Sequence, residues 1–496
     1  MASAPLAKLL PEEKTPHRMP PKPSGKLVDK LVPGESGSGG LAGVVAAVIV
    51  IAAILVGVRF IGKRDEPPET FETNPMVDEE DAAAPVVAPV VVPPRCKARS
   101  SEAFVVGDKP TTRVRTDAGV EGDPQANDAE EEFDELSPYA VELGRGAVVG
   151  DGFAVGALRD GDGGSQAMVA RIGADGRNGK LVRLGRSRGD FDAPTVTGYK
   201  DAVLAAMLEP NAGGRSIRVA KVSGEQVTWG PEVSEGRDES LAVDVATSGD
   251  RAVLVWDDVS KDGKRTMVMI ESFDPQTMQS DGASRPISSP KNDAELPRLA
   301  PRPGGYWLAY AVVGEAKKPK DEDTGLGGEA IAPRWVEVVP LDERGKPVSV
   351  ARAITPKDGH ALAFDVEASD DGGMILAYRD DDTPSGSTGG KVMTVWVRLS
   401  GVGEPQLVTE EANSTGVPDL LPGWMAIASL SGATRIGPLS AKGELLGELR
   451  REPELGNGEV LAATRASLLI ARPAGKAMKL SVLECTAESP AQDAGP

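Results

Sequence analysis

AVLVWDD, residues 252–258, reads as a short strand with apolar side chains on both faces, and the chain repeats it. Echoes occur as FAVGAL (153–158), AVLAAML (202–208), YWLAYAV (306–312), MILAYRDDD (374–382), WMAIASL (424–430) and SLLIARP (467–473). The copies recur roughly every fifty residues, a period that signals a repeat architecture. One longer interval holds KKPKDEDTGLGGEAIAP (317–333), which reads as a surface-loop insertion. A strand that is apolar on both faces must be covered on both.

The flanks of the echoes extend the unit. An alternating segment precedes several of them: APTVTG (193–198), LAVDVAT (241–247), LPRLAPR (296–302), AFDVEAS (363–369) and VPDLLPG (417–423). A second follows, as in AMVARIG, SIRVAKV, TMVMIES, WVEVVPL and VMTVWVRL. Asp151-Gly152, Asp175-Gly176, Asp262-Gly263 and Asp371-Gly372 lie between them. Period-two alternation punctuated by Asp-Gly is a hairpin signature. Three clear strands and a weaker fourth per unit predict an all-β fold, a seven-bladed β-propeller over residues 138–486. Two stacked β-sandwiches are the rival, and seven similar units make them less natural. One four-stranded blade cannot bury both its faces, whereas a ring of blades buries each against its neighbour.

The order of apolar strand, Trp or Tyr, charged turn, second strand and Asp-Gly resembles the irregular repeats of bacterial extracytoplasmic propellers of the TolB-like or sialidase-like kind. The resemblance covers 138–486 and rests on no strict motif. GEQVTWGPEV (224–233) resembles a degraded sialidase Asp-box, lacks that box's ordered Asp and Gly, and occurs once. It supports a blade rather than an activity. Propellers of this kind commonly close by completing the last blade with an N-terminal strand. The last unit ends in KLSVLE (479–484) and lacks a fourth strand; Tyr139–Leu143 and Glu102–Val106 are both candidates. Cys96 lies near the second candidate and Cys485 follows the last strand, so a Cys96–Cys485 disulfide is expected to fasten the ring.

Upstream, Leu41–Val58 (LAGVVAAVIVIAAILVGV) carries no charge and no proline. With Arg59 snorkelling it extends through Ile61, and spans about 27–31 Å at the helical rise of ~1.5 Å. A cleaved signal peptide has a shorter n-region and an A-x-A-like site; here forty residues precede the run, which ends in Arg59, Lys63 and Arg64. We therefore expect an uncleaved single-pass transmembrane helix over 41–62. Residues 1–40, with PEEKTPHRMPPKPSGK and PGESGSGG, read as a disordered cytoplasmic tail. Residues 63–137 read as an acidic, Pro-rich linker carrying APVVAPVVVPP, and 487–496 as a disordered end. Cys96 follows Pro-Pro-Arg, which excludes a lipoprotein signal. Basic residues flank the helix on both sides, and the far side soon turns acidic. Both cysteines lie beyond the helix, which suits an oxidising compartment. The expected location is the bacterial inner membrane, with the N-terminus cytoplasmic and the body periplasmic.

The formal net charge of −20 argues against nucleic-acid binding. Two histidines and two cysteines in 496 residues supply too few soft ligands for zinc or haem, so no cofactor or metal is expected. His360 in PKDGHALAF falls at a blade boundary and reads as structural; no catalytic residue is assigned. RDGDGGS (159–165) and RDDDTPSG (379–386) lack EF-hand spacing and read as solvated turns. The leading expectation is a membrane-anchored binding or scaffolding propeller that contacts an envelope protein or glycan. The alternative is a glycan-active hydrolase with carboxylates in the central funnel. A third reading is a sensor that signals through the helix to the tail. A converging Arg/Tyr/Asp/Glu cluster at the funnel mouth would favour hydrolysis; an uncharged or merely acidic channel would favour binding.

Overall fold

The structure, a computed structural model, describes residues 95–100, 102–107, 141–159, 165–177, 179–184, 192–211, 214–233, 242–260, 262–316, 332–381, 390–409, 417–428 and 433–486. The expected tail, membrane helix, most of the linker and the C-terminal end lie outside these residues. Among the described residues, no helix is long and apolar enough to cross a membrane.

Seven antiparallel sheets of four or five strands form a seven-bladed β-propeller. The first, innermost strands are Val141–Val149, Thr195–Tyr199, Val243–Ser248, Asp293–Arg302, Ala361–Ala368, Pro418–Leu421 and Glu459–Ala463. The second strands are Gly152–Arg159, Ala202–Asn211, Arg251–Val259, Gly305–Val313, Met374–Asp381, Trp424–Ala428 and Ser467–Ala474. All seven sequence echoes fall on second strands, and two-sided burial explains their composition. In blade 3, Val253 and Val255 pack toward blade 4, while Leu254 and Trp256 pack toward blade 2. The apolar residues form seven clusters, one at each interface between neighbouring blades. Two stacked sandwiches would instead have one core between each pair of sheets.

The aromatic residues of the echoes also fasten blades. The Trp307 indole N–H donates to the Gly372 carbonyl at 3.1 Å, in the first turn of blade 5. Trp424 repeats the device at the next-but-one interface, donating to Thr464 at 3.1 Å in the first turn of blade 7. Tyr306 reaches the other way and donates to the Arg251 carbonyl at 2.9 Å. Each such bond contributes about 1 kcal/mol net and fixes the phase of one blade against the next. Asp-Gly turns fall where the sequence puts them; Gly372, at φ 79°, takes the left-handed conformation that the turn requires.

Blade 7 closes the ring with strands from the other end of the chain. Arg95–Ala98 and Phe104–Val106 both pair antiparallel with Ala477–Thr486, the third strand of that blade. Of the two closing candidates, the segment containing Phe104–Val106 takes the role; Val141–Val149 is instead the inner strand of blade 1. Cys96 and Cys485 stand opposite each other in this register and form a disulfide. GEQVTWGPEV supplies the outer turn and outermost strand, Gln226–Glu232, of blade 2.

The strands alternate in direction, which gives the propeller two distinct faces. On one, the inner strands start and the second strand of each blade turns into the third. On the other lie the tight turns from first to second strand. Neighbouring inner strands run the same way: Thr195 Oγ1 bonds the Val243 carbonyl near their starts, and Thr247 Oγ1 bonds that of Gly198 near their ends. The long connections 107–140 and 314–333 both attach at the start face. The closing strand enters at the opposite face, since Arg95 pairs with Thr486 and the Cys485 N–H bonds Ala466 in a first turn.

Candidate functional site

The inner strands place charged side chains in a central channel. Two guanidinium groups stand at backbone irregularities of the same kind, Arg145 on its bulge and Arg298 directly after one. The pairing of Val141–Val149 with the second strand slips between Leu143 and Gly146, and Arg145 lies on that bulge. In blade 4 the pairing slips between Glu295 and Arg298, with Leu296 at φ 55°. Bulges re-aim side chains, and both arginines line the channel. The glycines beside Arg145 make its bulge possible: a Cβ on Gly144 would lie 2.7 Å from the Pro194 carbonyl oxygen of blade 2.

Arg145 spans the channel. Its guanidinium donates to Asp365 Oδ1 at 2.8 Å and to the Leu420 carbonyl at 2.7 Å, and sits 3.7 Å from Glu367. It thus ties blade 1 to blades 5 and 6 across the centre. Burial opposes its charge, but Asp365, Glu367, Asp244 and Asp419 outweigh that and hold it protonated well above the usual range. Cavities of about 250 Å³ and about 270 Å³ lie on its two sides. The first opens among strand starts and is lined by Leu143, Asp244, Arg298, Phe364, Asp419 and Glu459, among others.

The acidic residues divide into two kinds. Asp244 and Asp365 occupy like positions in VDV (243–245) and FDV (364–366), and each holds the next blade by its backbone. Asp244 accepts the Leu299 N–H at 2.7 Å, and Asp365 the Leu420 N–H at 2.8 Å. Asp257 joins blades 3 and 4 similarly, accepting from Ala242 at 2.7 Å and Leu296 at 3.0 Å; burial pushes its carboxyl up to about 6. Asp419 and Glu459, by contrast, are open to channel solvent yet walled in by protein. That confinement, reinforced by the Asp365 charge and opposed by Arg145, pushes Asp419 up to about 7. Burial raises Glu459 as well. Glu367 reaches about 7 by burial, with Arg145 pulling it back down.

The channel meets part of the condition set for hydrolysis. Arginines and carboxylates converge, but none of the described tyrosines, Tyr199, Tyr306, Tyr310 and Tyr378, lines either cavity. His360 stands between blades 4 and 5, its Nδ1 3.4 Å from the Asp381 carbonyl oxygen, away from both cavities. Among the described residues no group of three or more His, Cys, Asp or Glu is arranged to hold a metal. Cys96 and Cys485 lie in the blade 6–blade 7 interface, where the disulfide is structural. The turns at 159–165 and 379–386 fall largely outside the described residues. None of the channel charges stands out from sequence as functional. Their only signal is a lone charge inside an otherwise apolar inner strand, as in VDV, FDV, PRL (297–299) and PDL (418–420).

No family model matches the chain, and no curated protein matches it by sequence. Among solved structures it is similar to the β-propeller domain of the trilobed protease from Pyrococcus furiosus, at 11% identity over 70% of this chain and 96% of that one, with TM-score 0.43. It is similar to the polysaccharide lyase Uly1 at 10% identity over 79% of this chain and 100% of that one, TM-score 0.45. A GH93 α-L-arabinofuranosidase of Fusarium graminearum gives 10% identity over 70% and 93% of the two chains, TM-score 0.38. At this level of likeness none of these activities carries over.

Proposed function

We propose that this chain is a binding propeller, tethered to the bacterial inner membrane by Leu41–Val58 and displayed outside the cytoplasm, with affinity to the TolB-like or sialidase-like extracytoplasmic propellers. Its partner is a protein or glycan of the envelope, held on the face where the inner strands start. The observation that supports this reading most directly is the opposed placement of chain entry and channel mouth. The polypeptide reaches the ring at Arg95 on the tight-turn face, opposite the face where the inner strands start and the first cavity opens. The disulfide belongs to the same reading, because it requires an oxidising compartment.

A photo-crosslinking side chain at Val417, half exposed at the channel mouth, is expected to capture a discrete partner in cells. The same group at Glu225, exposed in an outer turn of the opposite face, is expected to capture none. Capture from Glu225 alone, or from neither, would overturn the reading.

One observation favours the alternative of glycan hydrolysis. Asp419, at about 7, is a carboxyl able to hold a proton at neutral pH beside a second carboxylate, as a general acid must. On that reading, reducing ends are released from an envelope polysaccharide by the full-length chain, and Asp419→Asn abolishes the release. Cleavage retained by Asp419→Asn would reject the role.

A further inference from the structure

The channel mouth holds charges of both signs that form no described ion pair, although Arg298 lies near enough to lower the proton affinity of Asp244 and Asp419. Arg298 makes one described hydrogen bond, a long 3.4 Å contact to the carbonyl of its own neighbour Pro297, and no ion pair with any described residue. Its position is built: the bulge that aims it is pinned by Asp257, which accepts the Leu296 N–H at 3.0 Å. Across the cavity, Asp419 and Glu459 neither accept a hydrogen bond from nor pair with a described residue. The other described charges at the centre are engaged. Arg145 is bound to Asp365 and Leu420, and Asp244 holds the backbone N–H groups of Val245 and Leu299. The remaining wall is largely apolar, with Leu143, Phe364, Val417 and Leu461 among its residues.

A cavity of about 250 Å³, open at the channel mouth, with one cation and two anions on opposite blades and none of them in a described ion pair, selects its ligand by charge and size. A neutral sugar can hydrogen-bond the three groups through its hydroxyls but neutralises none of their charges, and a simple amine leaves the guanidinium without a counter-charge. We propose that this cavity binds a small zwitterion, a free amino acid or dipeptide with an apolar side chain. Its carboxylate lies on the Arg298 guanidinium, its ammonium between Asp419 and Glu459, and its side chain against Phe364 and Leu461. This assignment of ligand rests on the binding reading of the same face. Bidentate pairing of a carboxylate with arginine supplies direction as well as attraction. Burial chiefly raises the proton affinity of Asp419, with the Asp365 and Glu459 charges adding to it, and a bound ammonium group would oppose that rise.

The test uses the full-length chain in detergent micelles at pH 7.5, with calorimetric titration of L-leucine and L-alanyl-L-leucine. Leucinamide lacks the carboxylate and N-acetyl-leucine the ammonium, and each is expected to bind at least about tenfold more weakly, the cost of one charged hydrogen-bonding partner. Arg298→Gln is expected to abolish the preference for leucine over leucinamide. Val417→Arg obstructs the mouth from a half-exposed position outside the core and is expected to abolish binding in a protein that still folds. No saturable binding of either zwitterion at millimolar concentration, or binding indifferent to both variants, would overturn the assignment. If crosslinking from Val417 then persists, the zwitterion alone is wrong; if that fails too, the binding face is wrong with it.

Discussion

Cys96→Ser is expected to destabilise the propeller by about 4 kcal/mol and to run with altered mobility on a non-reducing gel. The bridge joins residues 389 positions apart, so it removes most of the conformational freedom of the unfolded ring. The chain-entropy model gives on the order of 5 kcal/mol for loops this long, and losses of about 2–5 kcal/mol are usual when native disulfides are removed. The fold adds a second reason. Closing residues Arg95–Ala98 hold the outer edge of blade 7 through one four-residue pairing, and Cys96 is buried against Trp424, Leu455 and Leu483. Without the bridge that edge unzips, while Phe104–Val106 still covers the other half of the same strand. Amide exchange should therefore accelerate first at Leu483–Thr486 and later at Met478–Leu480. A melting temperature equal to wild type, with unchanged mobility, would contradict both the closure and the compartment proposed for it.

How far the sequence carries this molecule depends on how many residues each structural demand touches. Second strands are legible because burial on both faces forces runs such as AVLVW and WLAYAV, which few other settings tolerate. Fourth strands are not. Arg352–Ala353 and Arg450–Arg451 are two residues long, too short for any period to show. The closing strand is half legible: EAFVV alternates enough to be a candidate, whereas RCKA (95–98) is exposed at three of four positions and has no pattern of its own. The channel is hidden for a different reason. Period two says that Asp244 and Val245 point to opposite sides, but not that one side is a channel seven strands share. Arg145 lies on a bulge and Arg298 directly after one, where the period itself breaks. Asp419 and Glu459 come together only because the ring brings blades 6 and 7 side by side.

Arg145→Met is expected to cost about 3 kcal/mol at pH 8, and much of that loss should return at pH 5.5. Among the described residues the guanidinium is the one positive charge paired with Asp365 and Glu367, and its removal leaves them without it. Breaking a buried pair from one side costs about 3–5 kcal/mol; the low end applies because Arg145 keeps 34% of its side-chain exposure to channel water. The pH dependence follows from the direction of the shifts. Glu367 and Asp419, at about 7, and Asp244, raised by burial, bind protons more tightly in the folded chain than in the unfolded one. Between about pH 4 and pH 7 the native state therefore carries more protons than the unfolded state, and stability falls as pH rises. Their stabilising contribution is complete below the unfolded carboxylate range and gone above about pH 8. Wild type should accordingly melt higher at pH 5.5 than at pH 8. In Arg145→Met the carboxylates lose the charge that lowers their proton affinity, so the same interval should show a larger gain. Urea unfolding of both proteins at the two pH values measures it. A variant whose loss is equal at both would mean that Arg145 acts by packing and not by charge. A wild type more stable at pH 8 would mean that the central carboxylates do not hold protons above their usual range.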